Sequence, residues 1–255
     1  DAADEVCRGV PLEATARLRV RRDGKSVHNP NRVRGPMDED FYPNRRLRQY
    51  DYEVVLGGAR TGLLIDMVCA SRGCPFNCEF CDIVVMTGHI PRTKDKNQVI
   101  AELGALYNQG WRGGVFLVDD NFIGNKRKLK PEILKAIIEW MEERKHPFSL
   151  YTEASVNLAD DEELMQLMTK AGFDTVFVGI ETTNEESLVE CSKFQNVNRD
   201  LVASVKKMQN YGLEVQGGFI VGFDSDPVSI FKSQINFIQK KVNQDRSGFT
   251  RLKIR

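Results

Sequence analysis

Apolar positions after residue 62 follow two alternating patterns. Short apolar runs rich in β-branched residues indicate buried strands, and they fall at residues 63–69, 115–118, 148–151, 175–180 and 215–221. Between these runs, apolar residues recur at helical spacing. This spacing predicts helices at residues 95–109, 133–141, 160–171, 201–211 and 226–238.

Three of these predicted helices have a recognisable start. Asp95 and Asp160 are each followed three residues later by Gln or Glu, as in a capping box. Asp226 precedes Pro227, and proline suits the first position of a helix. Both signals support the predicted order of strands and helices.

Repeated strand–helix units predict an α/β fold with a parallel sheet whose apolar strands are covered by helices. Right-handed crossovers then allow either a barrel or an open doubly wound sheet. The length from residue 63 to the end suits about six strand–helix units. Residues 249–255 are a candidate sixth strand, although their alternation is too polar for a well-buried one.

The first 62 residues have a different character. Basic segments on both sides of Asp23 and Gly24 predict a two-residue hairpin, and residues 36–43 read as an irregular connector. A solvated basic face is the favoured interpretation of this hairpin, with a phosphate-rich partner as the alternative. We therefore predict two parts, an N-terminal hairpin and linker at 1–62 (the tail of an upstream domain) and a core at 63–255.

Composition narrows the function classes. The chain has 36 Lys and Arg residues against 36 Asp and Glu residues, so its net charge indicates no nucleic-acid partner. With 41% hydrophobic residues it can form one substantial core, and no apolar run is long enough to span a membrane. The acidic first residues argue against a signal peptide, and we predict a cytoplasmic protein.

Three cysteines lie close together in one predicted loop. Cys74, Cys78 and Cys81 have C-x3-C-x2-C spacing directly after the first predicted strand. Three thiolates from one short loop suit three corners of a [4Fe-4S] cluster and leave the fourth iron without a protein ligand. An iron with an open position can bind a small molecule, so such a cluster can do chemistry as well as carry electrons.

Other interpretations of these cysteines stay open at this point. Zinc would want a fourth ligand, usually from a second paired motif, and the histidines of this chain (His28, His89 and His146) are isolated. Coincidental thiols are the remaining alternative. A disulfide framework is disfavoured in a chain of this length without a secretory signal.

Polar or glycine-rich residues follow each later predicted strand. They are Asp119 to Asn121, Thr152 to Ser155, Gly179 to Thr182 and Gly217 to Asp224. Because ligand sites in parallel α/β folds gather at the carboxyl ends of strands, we expect these residues to line one pocket with the cysteine loop. Each also has an ordinary alternative role, such as helix capping, a rim ion pair or close helix–sheet packing.

The cysteine loop, with Phe80 before its last cysteine, resembles the signature of radical S-adenosylmethionine (SAM) enzymes. Further runs at 81–94, 118–126, 152–155, 177–182 and 218–224 resemble the subgroup with cobalamin-binding domains, which includes the hopanoid C-2 methylases. The resemblance covers most of residues 30–240. It implies a partial (β/α)6 radical SAM barrel, here truncated or atypical at its C-terminus.

The resemblance also implies cofactors and their ligands. Cys74, Cys78 and Cys81 would ligate a [4Fe-4S] cluster, SAM would chelate the open iron, and an electron from the cluster would cleave SAM to a 5′-deoxyadenosyl radical. Phe80 would lie near the adenine. The run Asp119, Asp120 and Asn121 occupies the place of a Gly-Gly-Glu stretch that meets the amino group of SAM, with aspartates replacing that pattern.

Five further SAM contacts are implied by position. Glu153, Ser155 and Glu181 would face the methionine carboxylate, the ribose or a neighbouring arginine. Ile220 and Gly222 match a stretch on the fifth strand that packs near adenine. No catalytic residue is identified beyond these cofactor contacts.

The function implied by the resemblance is methylation of an unactivated carbon, with cobalamin as methyl carrier in the intact protein. A small molecule or a hopanoid-like lipid would be the substrate, and a lipid substrate would bring the protein to a membrane. Flavodoxin or ferredoxin would be the reductant. The alternatives are another radical SAM reaction, such as cyclisation or methylthiolation, and a non-catalytic iron–sulfur electron carrier or scaffold. No Asp-x-His-x-x-Gly run is present to supply a lower cobalt ligand, so a corrinoid cannot be read from these residues.

Overall fold

The computed structural model describes residues 65–242 continuously, together with Pro11 and the stretches 19–22, 25–29, 54–56 and 59–61. The chain divides into two compact units, Asp1–Pro36 and Met37–Arg255. The predicted boundary after residue 62 stays a prediction.

The first unit contains the predicted hairpin. Strands β1 (Arg19–Arg22) and β2 (Lys25–His28) pair antiparallel, with Arg22 opposite Lys25. The predicted turn at Asp23 and Gly24 and the connector at 36–43 lie outside the described residues.

Nine strands are described in the second unit. They are β3 (Val54–Leu56), β4 (Ala59–Thr61), β5 (Ile65–Val68), β6 (Ser71–Arg72), β7 (Arg92–Thr93), β8 (Gly114–Leu117), β9 (Ser149–Ala154), β10 (Phe173–Glu181) and β11 (Glu214–Phe219). Strands β3 and β4 form an antiparallel hairpin, and β6 and β7 pair antiparallel across a longer connection.

Five of these strands form one parallel sheet in chain order, β5-β8-β9-β10-β11. An open doubly wound sheet would reverse its strand order part-way across, so the unbroken order decides between the two predicted architectures in favour of barrel-type winding. Within the described residues β5 and β11 do not pair, as a partial barrel requires. The candidate sixth strand at 249–255 lies outside the described residues.

The helices lie between these strands. They are α1 (Ile83–Met86), α2 (Lys96–Asn108), α3 (Lys126–Lys128), α4 (Lys135–Glu143), α5 (Glu162–Lys170), α6 (Glu185–Glu190), α7 (Leu201–Asn210) and α8 (Ile230–Val242). A 3-10 turn at Phe122–Asn125 and a π-helical turn at Leu129–Leu134 extend the α3–α4 region, and a second 3-10 turn occupies Val156–Asp160. No helix in the described part of the chain is both long and apolar enough to cross a bilayer.

Two of the predicted helix starts differ from the structure. Asp95 caps α2 as predicted, but α5 is capped by Asp161, whose side chain accepts a hydrogen bond from the Leu164 N–H at 3.1 Å. Asp160 instead forms a two-pronged ion pair with Arg199, at 2.7 Å for each hydrogen bond. By local sequence, either aspartate could cap the helix. Because Asp160 is paired with Arg199, Asp161 caps α5 instead.

The last helix begins at Ile230, four residues after the predicted start. Asp226 is used differently, since its Oδ2 accepts hydrogen bonds from the backbone N–H groups of Gly222 and Phe223 at 2.9 and 3.1 Å. Its Oδ1 accepts a third from the Ser187 hydroxyl at 2.7 Å. The residue therefore closes the loop after β11 instead of capping a helix.

Helices cover one face of the sheet. The residues buried beneath them include Val68, Val115, Leu117, Leu150, Val176, Val178 and Val215. On the opposite face Met67 is 57% exposed, and the rings of Phe116 and Tyr151 stack with centroids 4.3 Å apart. The prediction of a helix-covered sheet is thus met on one face, while the other is partly open to solvent.

Candidate functional site

The cysteine loop lies between two short strands that pair with each other. Strands β6 and β7 bring residues 72 and 92 side by side, so both ends of the loop start from one place. The Cys74 N–H donates to the Gly88 carbonyl at 3.2 Å. Gly73 has φ +105°, and a Cβ there would lie 2.9 Å from the carbonyl oxygens of Gly88 and Ile90, so only glycine fits the turn into the first cysteine.

Asp120 ties this loop to the end of β8. Its Oδ2 accepts a hydrogen bond from the Gly73 N–H at 2.6 Å and another from the Thr87 hydroxyl at 2.9 Å. Arg72 lies 3.5 Å from its Oδ1. Because both ends of the loop bond to one carboxylate, Asp120 positions the cysteines.

A cavity of about 170 Å³ lies between this loop and the ends of three neighbouring strands. It is lined by all three loop cysteines and by six of the predicted SAM contacts, Phe80, Asp120, Asn121, Glu153, Ser155 and Glu181. The expectation that polar strand ends meet the cysteine loop therefore agrees with the geometry for these residues. Asp119, Ile220 and Gly222 do not line the cavity.

Side-chain amides point at two of the three sulfurs. Asn121 Nδ2 lies 3.8 Å from Cys74 Sγ and also donates to the Ser155 hydroxyl at 3.1 Å. Gln195 Nε2 donates to Cys78 Sγ at 3.6 Å. Amide donors directed at sulfur suit thiolate ligands, which accept hydrogen bonds more strongly than neutral thiols.

Glu181 reaches the cavity through an irregular end of β10. The register with β11 shifts between Gly179 and Glu181, and Glu181 itself has φ +64°, a strained backbone conformation for a side chain of this size. Its Oε1 lies 2.8 Å from Lys193 Nζ, and both side chains are largely buried. The bulge thus places a buried ion pair in the cavity wall.

Phe80 lines this cavity and is partly exposed to solvent. Its ring is 42% exposed, with Lys193 Nζ 5.6 Å from the ring centroid and the Phe223 ring 6.3 Å away. A partly exposed aromatic face beside a cavity of this kind can stack on a planar ligand.

Asp119 is turned away from the cavity and is buried. Its Oδ2 accepts from the Ala70 N–H at 3.2 Å, and its Oδ1 has no hydrogen-bond partner among the described residues. Burial raises the pKa of this carboxyl from 3.8 to about 6. Asp119 therefore links the ends of β5 and β8.

Ile220 and Gly222 continue from β11 next to Glu181. The Ile220 N–H donates to the Glu181 carbonyl at 2.7 Å, and the Gly222 N–H donates to Asp226. Gly222 has φ +102°, which favours glycine. These two backbone hydrogen bonds support the strand end that carries Glu181.

A sequence profile of the Radical SAM superfamily matches residues 68–233. The chain belongs to the radical SAM superfamily. The matched segment runs from the last residue of β5 to the start of α8, so it contains the cysteine loop and the other four strands of the parallel sheet.

Several curated relatives of this radical SAM chain are methyltransferases or methylases by name. It is 56% identical over 156 residues to an uncharacterized methyltransferase of Synechocystis sp., covering 61% of this chain and 29% of that protein. It is 38% identical over 177 residues to the hopanoid C-2 methylase of Rhodopseudomonas palustris, covering 69% of this chain and 33% of that protein. These relatives agree with the predicted subgroup, and the chain spans about a third of their length.

The fold also matches a solved radical SAM structure. The methyltransferase TsrM from Kitasatospora setae, solved with cobalamin and a [4Fe-4S] cluster bound, superposes with a TM-score of 0.71 at 16% identity. The match covers 99% of this chain and 48% of TsrM. At this identity the likeness concerns the fold, and it confirms the predicted α/β radical SAM architecture.

Three thiols on the wall of one cavity fit a cluster that is held by a single loop. No group of three or more His, Cys, Asp or Glu side chains within the described ranges converges on one ion. The three thiols line one cavity together with Gln195, whose buried Oε1 has no hydrogen-bond partner among the described groups. Burial raises the pKa of the Cys74 thiol, so a bound metal must displace its proton.

Two residues of this site escaped sequence reasoning. Lys193 and Gln195 lie in the turn segment, residues 191–199, between α6 and α7, where no periodic pattern or motif marks them. The Glu79 N–H donates to the Cys191 carbonyl at 3.0 Å, which joins this segment to the cysteine loop. Lys193 and Gln195 lie near the cysteines only because the fold brings this segment back to the cysteine loop.

A larger cavity of about 460 Å³ adjoins the first and shares Phe76, Asn121 and Ser155 with it. Its lining combines apolar side chains, including Ile90 and Ile123, with cationic ones from the start of α3. A ligand that fills both cavities would reach the cysteines from this side.

Proposed function

We propose that this radical SAM domain binds a [4Fe-4S] cluster through Cys74, Cys78 and Cys81 and cleaves SAM reductively, as part of a methyltransferase. The observation that carries the proposal is the shared cavity of the three cysteines, two of which receive amide hydrogen bonds. When bound, the cluster and SAM supply the electron transfer and the carbon–sulfur cleavage.

The surrounding residues have distinct tasks in this proposal. Asp120 holds the cysteine loop through the Gly73 N–H and the Thr87 hydroxyl. Asn121 and Ser155, hydrogen-bonded to each other on the cavity wall, are placed to meet the polar methionine end of SAM. Phe80 offers its exposed face to the adenine, which agrees with the role implied by sequence.

The wall formed by Glu181 and Lys193 supplies fixed charge. Buried charges that are already paired do not need to reorganise when a ligand binds. Glu181 can therefore contact a hydroxyl or an ammonium group while Lys193 holds it in place at 2.8 Å. Glu153, on the rim of the same cavity, is placed for a second polar contact.

Methyl transfer through cobalamin is the finer part of the proposal. It is supported by the hopanoid C-2 methylase as a relative and by the cobalamin-bound TsrM structure as a fold match. A methylene-rich lipid is the proposed substrate class, and the mixed lining of the larger cavity suits an apolar body with a polar end. Ferredoxin or flavodoxin is the proposed reductant.

The test is anaerobic reconstitution with iron and sulfide, followed by incubation with SAM and dithionite. We expect release of 5′-deoxyadenosine, quantified by chromatography against a sample without reductant. An intact cluster that yields no 5′-deoxyadenosine would favour an electron carrier and overturn the proposal. Binding of aquacobalamin, followed by its visible spectrum, tests the methyl carrier separately.

A further inference from the structure

Gln195 lines the cavity, and the two ends of its side-chain amide have different surroundings. Its Nε2 donates to Cys78 Sγ at 3.6 Å. Its Oε1 is buried and has no hydrogen-bond partner among the described residues, although it belongs to a side chain that lines the cavity. One end is therefore engaged with a cysteine, and the other is an unused acceptor.

The backbone on both sides of Gln195 is firmly held. Asn196 is fully buried, and its Nδ2 donates to the carbonyls of Gly179 and Ile180 at 3.1 and 3.0 Å. Arg199 Nε donates to the Gln195 carbonyl at 3.1 Å, while the Arg199 guanidinium is bound by Asp160. The position of the Gln195 amide is thus determined by β10 on one side and by the end of the Val156–Asp160 turn on the other.

The donor end of the Gln195 amide affects the reduction potential of the cluster. A hydrogen bond to a cysteine sulfur stabilises the more negative, reduced form of an iron–sulfur cluster and so raises its reduction potential. Cys78 is the most buried of the three loop cysteines, so solvent competes least for its sulfur. Removing the donor should make the cluster harder to reduce.

The acceptor end bears on ligand binding. A buried acceptor without a partner costs free energy, and native structures rarely leave one unexplained. The cavity that would hold SAM is the same cavity, and SAM carries donors in its ammonium group and its ribose hydroxyls. A donor from SAM would satisfy Oε1 once a small rotation of the Gln195 amide exposes that atom to the cavity.

We propose that Gln195 is a two-ended positioning residue, donating to the Cys78 sulfur of the cluster and accepting a hydrogen bond from an ammonium or hydroxyl group of bound SAM. The inference rests on the proposed function, because it requires a cluster on the cysteine loop. It extends that function by naming a residue that couples SAM binding to the cluster.

Two substitutions separate the two ends. Gln195→Leu removes both the donor and the acceptor, whereas Gln195→Glu keeps an acceptor of the same shape and loses the donor at pH 8, where an ordinary glutamate is ionised. Gln166→Leu makes the same chemical change on the exposed side of α5 and serves as the matched control. Iron and sulfide content per chain is measured for every variant.

The first measurement is the midpoint potential of the reconstituted cluster without SAM, from a redox titration followed by electron paramagnetic resonance. Both Gln195 variants should titrate at more negative potential than the wild type, with a threefold to tenfold change in the reduction equilibrium, where tenfold is about 59 mV. Gln195→Glu should show the larger shift because it adds a negative charge. Gln166→Leu should match the wild type.

The second measurement is SAM binding to the oxidised protein by equilibrium dialysis with labelled SAM. Gln195→Leu should weaken binding by about threefold to tenfold, the loss of one hydrogen bond. Gln195→Glu should bind SAM at least as tightly as the wild type, because its acceptor is retained. A merely structural role would weaken SAM binding in both variants together.

The outcomes distinguish this inference from the proposed function. Wild-type protein that assembles no [4Fe-4S] cluster contradicts the proposed function itself. A cluster whose potential is the same in wild type and in the cluster-loaded Gln195 variants overturns the donor role. Equal loss of SAM affinity in both variants, or no loss in Gln195→Leu, overturns the acceptor role.

Discussion

Lys193 Nζ lies 2.8 Å from Glu181 Oε1, and the two side chains are only 12% and 10% exposed. They come from different elements, the turn segment 191–199 and the bulged end of β10. The pair forms part of the wall of the cysteine cavity. A buried charge needs a partner far more than an exposed one does, so the two residues depend on each other.

Replacing Lys193 should reveal this dependence. We expect Lys193→Met to lower the free energy of unfolding by about 3–5 kcal/mol, because it leaves the Glu181 carboxylate buried without its cation. Urea unfolding of the chain under reducing conditions measures the change. The double variant Lys193→Met/Glu181→Gln should recover much of the loss, since no unpaired charge is left.

An exposed ion pair provides the matched control. Lys207 Nζ lies 2.9 Å from Glu162 Oε1, with side chains 40% and 59% exposed. Lys207→Met should leave the free energy of unfolding nearly unchanged, as expected for a surface pair. Equal costs for the two lysine variants would contradict the role of burial.

Gly179 has no side chain, and the charged ends of this ion pair occupy the place where a Cβ would lie. A Cβ at Gly179 would overlap Glu181 Oε1 and lie 2.8 Å from Lys193 Nζ, so Gly179→Ala must displace the charged ends. We expect a loss of about 1–3 kcal/mol in unfolding free energy. The loss should shrink in the Lys193→Met/Glu181→Gln background, which a double-mutant cycle would detect.

Gly104, in the middle of α2, is the control for this change. Nothing lies within 4 Å of a Cβ placed there. Gly104→Ala should stabilise the chain by about 0.5–1 kcal/mol, because alanine loses less backbone entropy in a helix. If both alanine variants stabilise the chain, a side chain at Gly179 does not displace the ion pair, and the prediction is wrong.

Cys78 should be required for the metal centre. Cys78→Ala should lose the visible absorbance and most of the iron after reconstitution, because the loop then supplies two sulfurs instead of three. Cys69→Ala is the matched control, since Cys69 lies outside the cavity lining and its thiol donates to the Ser71 carbonyl at 3.2 Å. Full iron content in Cys78→Ala would refute the ligand assignment.

Asp119 should make stability depend on pH. Its pKa in the folded chain is about 6 against an ordinary 3.8, so the folded state binds the proton more tightly. The carboxyl therefore contributes stability that is fully present below the unfolded pKa, near pH 4, and is lost as the pH rises through about 6. At pH 7.5 the buried carboxyl is ionised, and this lowers the free energy of unfolding.

The isosteric change Asp119→Asn removes this charge. We expect it to raise the unfolding free energy by about 1–3 kcal/mol at pH 7.5, with the gain fading as the pH falls from 6 towards 4. Urea unfolding at several pH values measures it. Asp224→Asn, at an exposed position, should change stability by less than about 0.5 kcal/mol. A gain that is constant with pH would rule out the buried charge as its cause.

Local patterns located most of the elements that carry the site. The apolar run at 115–118 predicts β8, which the structure has at Gly114–Leu117, and the run at 175–180 lies inside β10. Apolar runs mark strands that bury at least one face, and the described strands of this sheet alternate buried residues with partly exposed ones. The spacing of the three cysteines is local in the same sense, because one short loop holds them.

Tertiary structure decided what neighbouring side chains do. Asp119, Asp120 and Asn121 are consecutive and equally polar, yet the first is buried behind the loop, the second holds the loop, and the third faces a sulfur. Their directions follow from the backbone that leaves β8 and from the partners it meets. No local sequence pattern distinguishes the different contacts that these three side chains make.

What the sequence by itself determined is the succession of strands and helices and the cysteine loop with its chemistry. Only the tertiary structure brought Gln195 to Cys78, 117 residues away along the chain, and Lys193 to Glu181. Periodicity and spacing describe contacts within a few residues. Contacts across the fold depend on how strand β10 and the turn segment return to the loop, which is set by the packing of the whole sheet.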